Sequence, residues 1–328
     1  MNLFNNKIKV GIIGGAGYTA GELIRLLINH PNVEIEFIHS TSNAGNKITD
    51  VHGGLIGETE LRFSETHPFG KVDALFLCSA HGDSKKFIEE NLIPDKIKII
   101  DLSTDYRQEG PEHDFVYGLP EMNKDRIQKN NHIANPGCFA TAIQLSLLPL
   151  AANGLIRDEV HVNAITGSTG AGVKPSGTTH FSWRDNNISV YKAFEHQHLK
   201  EIVQSLSRLQ PGFDRAVNFI PVRGNFSRGI FSTAYTACDL LLEEAVQLYT
   251  EFYKDSLFTF ITDKNPDLKQ VVNTNKCILH LEKHGNKLFI ISIIDNLLKG
   301  ASGQAVHNFN LMFGLGETAG LKLKPSAF

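Results

Sequence analysis

The chain has 328 residues, of which 41% are hydrophobic and 20% charged, and its formal net charge is -3. This length is enough for two domains with separate cores, and the composition is that of an ordinary globular protein. The small net charge gives no reason to expect a nucleic acid or an anionic membrane as a partner. No apolar run approaches the ~20 residues of a membrane span, and residues 1–10 lack the apolar core of a secretory signal. The four cysteines are scattered without a CxxC pair, which indicates a reducing, cytoplasmic setting.

The first forty residues predict the beginning of a dinucleotide-binding fold. Residues 7–13 form an apolar run typical of a buried parallel strand, and residues 18–28 have helical periodicity. Glycines between such elements allow a tight turn and bring the backbone close to a pyrophosphate. A second predicted strand, 33–39, completes the unit, so we expect a Rossmann-type, doubly wound α/β domain. The candidate cofactor ligands in the turn and the first helical residues are Gly14, Gly15, Ala16, Gly17, Tyr18 and Thr19.

The end of the second predicted strand bears on which dinucleotide is bound. Folds that bind NAD carry an acidic residue there, which binds the ribose 2'-hydroxyl. This chain has Ser40 and Ser42 instead, with Asn43 and Lys47 nearby. Hydroxyls, an amide and a cation suit a 2'-phosphate, so the predicted cofactor is NADP(H). The alternative is that these residues only form a polar loop.

Cys138 is the strongest candidate nucleophile. A turn at residues 135–137 precedes it, and the mostly apolar run 142–152 that follows has helical spacing. The N-terminus of a helix favours the thiolate, which is the nucleophilic form of cysteine. A cysteine can also be a small hydrophobic residue that fills a gap in a core. The polar or turn-forming neighbours, including Thr141, favour the reactive interpretation.

A nucleophilic cysteine requires a base, and His196 and His198 are the candidates. Both precede an amphipathic helix predicted over residues 199–206. A His-x-His pair can also bind a metal ion, but no third ligand stands at a convincing spacing, so no metal is predicted. His81 follows the predicted strand 72–78 and is interpreted as a structural residue. The residues themselves leave open which imidazole of the pair acts.

The pattern changes after residue 148. A glycine- and hydroxyl-rich loop over residues 167–177 is long enough to be functional. The tail 296–313 predicts a turn and a helix that return to the first domain and bring Gly303 near the cofactor. We therefore expect one domain over residues 1–148 together with 300–328, and an α+β domain with a mixed sheet over 149–299. Its predicted strands are 160–166, 216–221, 231–239, 277–282 and 288–294, with a long helix over 242–253.

Several motifs together resemble the N-acetyl-gamma-glutamyl-phosphate reductase family, which is related to aspartate-semialdehyde dehydrogenase. The resemblance implies a semialdehyde dehydrogenase-like fold with Cys138 as nucleophile and His196, in preference to His198, as acid and base. It implies NADPH-dependent reduction of an acyl phosphate through a thioester, with release of inorganic phosphate, in arginine biosynthesis. A homo-oligomer, either dimer or tetramer, is also implied. The matching motifs occupy residues 11–19, 101–107, 117–121, 134–141, 196–198 and 299–305.

One segment departs from the family pattern. The family has a histidine where this chain has Val222, and the next residue, Arg223, is an additional cation. Our hypothesis is that Arg223 pairs with a second carboxylate, which would make N-succinyl-glutamyl phosphate the preferred substrate. The alternative is that Arg223 is a surface charge. The candidates for holding phosphate or carboxylate groups are Arg107, Ser168, His198, Arg223 and Arg228.

Two other functions are compatible with these motifs. One is aspartate-semialdehyde dehydrogenase, which performs the same chemistry on a shorter substrate. The other is a dinucleotide-binding redox regulator, in which Cys138 is oxidised instead of acylated. Against the regulator, the sequence shows no appended interaction module and no basic patch for a nucleic acid.

Overall fold

The computed structural model describes residues 7–80 and 82–326 of the chain, so the prediction for His81 lies outside the described residues. The chain divides into two compact units. The first comprises the residues up to Pro136 together with Ala301–Lys322, and the second comprises Gly137–Gly300 together with the residues after Lys322. None of the described helices has both the length and the apolar character to cross a membrane.

The described strands and helices follow one another along the whole chain. The strands are β1 (Ile8–Ile13), β2 (Val33–His39), β3 (Phe63–Ser64), β4 (Ala74–Leu77), β5 (Lys98–Asp101), β6 (Val116–Tyr117), β7 (His132–Ala134), β8 (Val160–Thr166), β9 (Ser189–Val190), β10 (Val217–Arg223), β11 (Ile230–Ala237), β12 (Thr259–Ile261), β13 (Cys277–His284) and β14 (Lys287–Ile294). The helices are α1 (Tyr18–Leu27), α2 (Ile48–Val51), α3 (Asp83–Glu90), α4 (Pro120–Gln128), α5 (Cys138–Ala152), α6 (Phe181–Arg184), α7 (His198–Leu209), α8 (Leu242–Phe252) and α9 (Gly303–Met312).

The first unit is built on a parallel sheet. Among the described residues its strand order is β3-β2-β1-β4-β5-β7-β6. β1 pairs with β2 on one side and with β4 on the other, so the direction of winding changes at β1. Val10 and Ile12 of β1 are fully buried, as expected for a parallel strand with both faces covered. The predicted Rossmann-type unit is confirmed, and its change of direction is where such sheets bind ligands.

The second unit contains the predicted mixed sheet, which is also confirmed. Its order in the described residues is β12-β13-β14-β11-β8-β10-β9. β8 and β10 are parallel, as are β12 and β13. Strand β11 is antiparallel to both β8 and β14, and β14 is antiparallel to β13. Helix α5 belongs to this unit because it packs on α7, β11 and β14. The boundary therefore falls before residue 137, whereas the sequence pattern placed it after 148.

Helix α5 contains a proline, and two tyrosines, one in helix α8 and one directly after it, compensate for the hydrogen bond that the proline cannot make. Pro149 has no N–H to donate to the carbonyl of Leu145, one turn earlier. The hydroxyl of Tyr253 donates to that carbonyl at 2.6 Å, and the hydroxyl of Tyr249 donates to the carbonyl of Ser146 at 2.6 Å. Both tyrosines are buried. The two hydroxyls therefore satisfy carbonyl groups around the proline and allow an almost wholly buried helix to carry Cys138 at its first position.

Candidate active site

Cys138 begins α5 and is the partly exposed cysteine of the chain, since Cys78, Cys238 and Cys277 are buried. Gly137 precedes the helix in an extended conformation, with φ of -71° and ψ of 151°. Burial, and secondly the Asp101 charge, raise the pKa of Cys78 to about 12, which makes that thiol a poor nucleophile. A helix N-terminus stabilises negative charge, so the position of Cys138 favours a thiolate.

His198 lies against the turn that precedes Cys138. A methyl group placed on Gly137 would come within 2.4 Å of His198 Nε2. The Gly137 N–H donates to Glu201 Oε2 at 2.9 Å, and Glu201 Oε1 lies 3.9 Å from His198 Nε2. Both side chains are buried. The cluster thus places an imidazole and a carboxylate beside the candidate nucleophile, which is the arrangement that activates thiols in general.

His196 lies next to His198 and makes edge-to-face contacts with the surrounding aromatic rings. Its ring centroid lies 4.6 Å from that of His198, and its ring packs on Phe139 and Phe219 at 5.4 Å from each. The backbone N–H of His198 donates to His196 Nδ1 at 3.2 Å, so the proton of the neutral ring is on Nε2. Burial, and secondly the Lys192 ammonium, lower the pKa of His196 to about 4. His196 is therefore a neutral imidazole at physiological pH.

Arg223 belongs to the same cluster. Its guanidinium lies over the Tyr191 ring at 4.7 Å, and that ring is 5.8 Å from the ring of His196. Burial, and secondly the charge of Cys138, raise the pKa of Tyr191 to about 12, and Arg223 opposes this shift. The Nε of Arg223 is buried without a hydrogen-bond partner among the described residues. A cation with an unused donor therefore lies in the surroundings of Cys138.

Arg184, a residue that the sequence did not single out, supports Arg223. Its Nη1 donates to the backbone carbonyl of Arg223 at 3.0 Å, and its Nη2 contacts Ser189 Oγ at 3.3 Å. The residue is buried. Burial, and secondly the charge of Arg223, lower the pKa of Arg184, so the surroundings of these two cations favour an anion. A single arginine between Trp183 and Asp185 gives no periodic signal, and only the fold brings it to Arg223.

Arg107 lies in the first unit. Its Nε donates to the carbonyl of Asn135 at 2.9 Å and its Nη2 to the carbonyl of Leu102 at 2.9 Å. The side chain is buried. These bonds tie the loop after β5 to the segment after β7, which is a structural task. A role for Arg107 in holding substrate stays a prediction.

Arg228 and Ser168 lie in the second unit. Arg228 forms a bidentate ion pair with Asp295, with Nε and Nη2 each donating at 3.1 Å. The Ser168 N–H donates to the Phe226 carbonyl at 2.8 Å, which anchors the start of the glycine-rich loop. The beginning of the glycine-rich loop is therefore held by backbone hydrogen bonds to the segment that precedes Arg228. Substrate binding by Arg228 or Ser168 stays a prediction.

The turn between β1 and α1 has the shape that a dinucleotide requires. Gly14 has a φ of +79°, and a Cβ there would lie 2.9 Å from the carbonyl of Cys78. At Gly15 a Cβ would meet Ile38 at 2.4 Å. At Gly17 it would meet nothing within 4 Å, and no described side chain caps α1. A tight turn that leaves a helix N-terminus open fits the pyrophosphate of a nucleotide.

The loop after β2 holds the residues predicted to contact a 2'-phosphate. Ser40 is buried, and Ser42 lies in a short 3-10 turn. The Asn43 amide donates to the Ser42 hydroxyl at 3.0 Å and to that of Ser40 at 3.4 Å. Lys47 pairs with Glu60 at 2.9 Å. Glu60 partly offsets the charge of Lys47, so the two hydroxyls and the amide are the groups that remain for a 2'-phosphate, and NADP binding by this loop stays a prediction.

The residue that precedes Gly303 contacts the first turn of α1, and cofactor binding by Gly303 itself stays a prediction. Gly303 is buried at the start of α9, and the preceding Ser302 hydroxyl donates to the Thr19 carbonyl at 2.7 Å. Thr19 and the partly exposed Tyr18 form the first residues of α1, while Ala16 lies in the turn itself. These candidate ligands therefore surround one end of α1.

Two family models match the chain. The one described as "Semialdehyde dehydrogenase, NAD binding domain" covers residues 9–130, and "Semialdehyde dehydrogenase, dimerisation domain" covers residues 138–296. Together they account for most of the sequence and for both units. The chain belongs to the semialdehyde dehydrogenase family.

Curated relatives define the branch within that family. The chain is 69% identical over 321 residues to a protein of Parabacteroides distasonis and 67% identical over 321 residues to one of Bacteroides fragilis. It is 59% identical over 326 residues to a protein of Flavobacterium johnsoniae. Each match covers 98% of this chain and 100% of the relative. All three relatives are named N-acetyl-gamma-glutamyl-phosphate reductase, and the chain falls among these reductases.

Solved structures show the same fold. Aspartate semialdehyde dehydrogenase II from Vibrio cholerae, complexed with ASA, is similar with a TM-score of 0.72 and 15% identity. Aspartate semialdehyde dehydrogenase with NADP from Candida albicans is similar with a TM-score of 0.71 and 16% identity. Both matches cover 94% of this chain and 99% of the other. At this identity the likeness concerns the fold alone.

Proposed function

We propose that the protein catalyses the NADPH-dependent reduction of an N-acyl-γ-glutamyl phosphate to the corresponding 5-semialdehyde, in arginine biosynthesis. The observation that carries the proposal is the cluster around Cys138, a partly exposed cysteine at a helix N-terminus with His198 and Glu201 beside it. The relatives at 59–69% identity support N-acetyl-gamma-glutamyl phosphate as the substrate class.

In the proposed reaction the Cys138 thiolate attacks the acyl carbonyl carbon. A carbon–sulfur bond forms, the bond from carbon to the phosphate oxygen breaks, and inorganic phosphate leaves. Reduction of the resulting thioester needs a hydride, which NADPH would supply when bound to the first unit. The oxyanion of the hemithioacetal is then held by a proton donor of the cluster, and the carbon–sulfur bond breaks to release aldehyde and restore the thiolate.

We assign the proton exchange to His198, where the resemblance favoured His196. The contact of His198 with Gly137 and the nearby Glu201 carboxylate support this assignment, because an oriented imidazole is the effective one. His198→Asn should lower kcat by about 10²–10⁴-fold and change its pH profile, and His196→Asn should lower it less. A larger loss in His196→Asn than in His198→Asn would return the role to His196.

The nucleophile is tested by Cys138→Ser with Cys238→Ser as the matched control. Cys138→Ser should bind NADPH normally but lose turnover, whereas the control replaces a buried cysteine and should keep it. The assay is phosphate-dependent reduction of NADP by the semialdehyde. Running it also with aspartate semialdehyde separates this function from that of aspartate-semialdehyde dehydrogenase, and a redox regulator would give no turnover. Turnover retained by Cys138→Ser would contradict the assignment.

A second candidate substrate, N-succinyl-glutamyl phosphate, is favoured by Arg223. Its unused Nε donor and the adjacent Arg184 suit a second carboxylate at the end of the acyl group. Arg223→Met should lower kcat/KM for the succinyl compound by about 10–100-fold, because a hydrogen bond to a charged group contributes about 1.5–3 kcal/mol. The exposed Arg215→Met is the control. A clear preference of the unmodified enzyme for the acetyl compound would contradict this proposal.

The first unit is an NAD binding domain by its family model, and we propose that the nicotinamide dinucleotide it binds is NADP(H). The turn at Gly14 and Gly17 fits the pyrophosphate, and the family model of this region is an NAD binding domain. Ser40→Ala/Ser42→Ala should weaken binding of NADPH more than that of NADH, as measured by calorimetry. Equal weakening of both would contradict the 2'-phosphate role.

We further propose a homo-oligomer, a dimer or a tetramer, formed through the second unit. The description of the matching family model as a dimerisation domain supports it, and light scattering on the purified chain tests it. The four cysteines are free, which supports a reducing, cytoplasmic setting for the reaction. A monomer at micromolar concentration would contradict the assembly.

A further inference from the structure

Asp295 is a fully buried carboxylate that accepts hydrogen bonds from three segments of the chain. Arg228 donates to it from Nε and Nη2 at 3.1 Å each. The backbone N–H of Asn273 donates to it at 2.7 Å, and those of Leu297 and Leu298 at 2.8 and 3.1 Å. A buried charge with this many donors has a single favourable geometry. The turn that begins at Asp295 is therefore fixed in place.

The same turn ends against the nucleophile. The Gly300 N–H donates to the Asp295 carbonyl at 2.9 Å, which closes the turn over residues 295–300. A Cβ at Gly300 would lie 2.7 Å from the Cβ of Cys138 and 3.2 Å from its Cα. Only glycine fits at that distance, so the backbone of the turn packs directly on Cys138.

A second hydrogen bond ties this turn to the loop that carries Arg228. The side-chain oxygen of Asn296 accepts from the N–H of Gly229 at 2.7 Å. Neighbouring residues of one loop, Arg228 and Gly229, thus hold neighbouring residues of the turn, Asp295 and Asn296. Because both contacts would have to break, movement of the turn along Cys138 is unfavourable.

We infer that the Arg228–Asp295 ion pair is a positioning element for the nucleophile, because it holds the turn that sets the side-chain conformation and the access of the Cys138 sulfur. The inference rests on the proposed role of Cys138. A shift of about 1 Å at a reacting group can lower the rate by about 10²-fold. A less rigid turn should therefore change the position and reactivity of the Cys138 sulfur more than it changes substrate affinity.

This role differs from the substrate binding that the sequence predicted for Arg228. A substrate carboxylate would compete with Asp295 for the same N–H groups, and Asp295 is buried and held by the backbone as well. A substrate ligand and a positioning residue are told apart by kinetics, because loss of the first raises KM and loss of the second lowers kcat.

The test compares Asp295→Asn, Arg228→Lys and Gly300→Ala in the full-length protein. The readouts are kcat, KM and the rate constant for iodoacetamide alkylation of Cys138 as a function of pH, with the labelled peptide quantified by mass spectrometry. Asp295→Asn and Gly300→Ala should lower kcat about tenfold or more with little change in KM, and should alter the alkylation profile. Arg228→Lys keeps the positive charge but cannot form the bidentate pair with Asp295, so its kcat and alkylation profile should lie between those of the other variants and the unmodified protein.

Tyr249→Phe is the matched control, because it removes a buried hydrogen bond to the same helix, two turns from Cys138. It should lower the melting temperature and leave the alkylation profile unchanged. A raised KM with unchanged alkylation in Asp295→Asn or Gly300→Ala would make Arg228 a substrate ligand and overturn the inference. Unaltered alkylation in both variants would overturn it as well. The alkylation readout needs no turnover, so it is independent of the Cys138→Ser test of the proposed function.

Discussion

Replacing Gly137 by alanine should displace His198 without disturbing the backbone. The φ and ψ of Gly137, -71° and 151°, are available to alanine. The added methyl group, however, would lie 2.4 Å from Nε2 of His198 and 2.7 Å from two of its ring carbons. Since carbon and nitrogen pack at about 3.5–4.0 Å, the ring must move by about 1 Å. A displacement of that size at an acid–base group predicts a kcat lowered by about 10²-fold.

The same overlap should reduce stability. Overpacking of a well-packed site lowers the free energy of unfolding by about 1–3 kcal/mol. In a unit of this size each kcal/mol lowers the melting temperature by about 2–4 °C. The assay combines kcat for NADP reduction by the semialdehyde with thermal unfolding followed by circular dichroism. Gly110→Ala is the control, because a Cβ at that exposed glycine meets nothing within 4 Å.

The double variant Gly137→Ala/His198→Ala separates the two effects. Removing the imidazole relieves the overlap, so stability should recover while activity stays low. If Gly137→Ala keeps kcat within about twofold of the unmodified protein, while its melting temperature falls, then the position of His198 does not matter for the chemistry. An unchanged melting temperature would contradict the close packing of His198 on Gly137.

Three further predictions concern other parts of the chain. Tyr253→Phe should lower the free energy of unfolding by about 1–3 kcal/mol in urea titrations, because the Leu145 carbonyl loses its buried donor; an unchanged midpoint would contradict this. Hydrogen bonding to His307 lowers the pKa of Glu317 to about 2 from its usual value of 4.5. The unmodified protein should therefore be more stable than Glu317→Gln above pH 4.5, and this difference should disappear as the pH falls towards 2. A gap between the two unfolding curves that does not narrow on acidification would refute the linkage. Gly14→Ala should weaken NADPH binding measured by calorimetry, since its φ is +79° and its Cβ would meet the Cys78 backbone at 2.9 Å; undiminished affinity would contradict the role of the turn.

Some elements of the fold carry no periodic signal in the sequence. Helix α4 (Pro120–Gln128) buries only Pro120, Asn123 and Ile127 among its residues, so it lacks the apolar stripe that marks a helix. Strand β7 (His132–Ala134) is too short to show an alternating pattern. By contrast β1, α1 and α5 are apolar or periodic over six or more residues, and they were predicted close to their observed bounds.

The sequence by itself determined the longer helices and strands, the two kinds of sheet and the candidate nucleophile. These depend on local periodicity, on glycines at a turn and on the residues around Cys138, all of which are visible within a short window. The tertiary structure decided which groups surround the sulfur. Gly137 meets Glu201 across 64 residues, Arg228 meets Asp295 across 67, and Tyr253 meets Leu145 across 108. Such pairs leave no periodic trace. The packing of α5 on helices α7 and α8 brings the first and third pairs within hydrogen-bonding distance, and the meeting of the loop before β11 with the turn after β14 does so for the second.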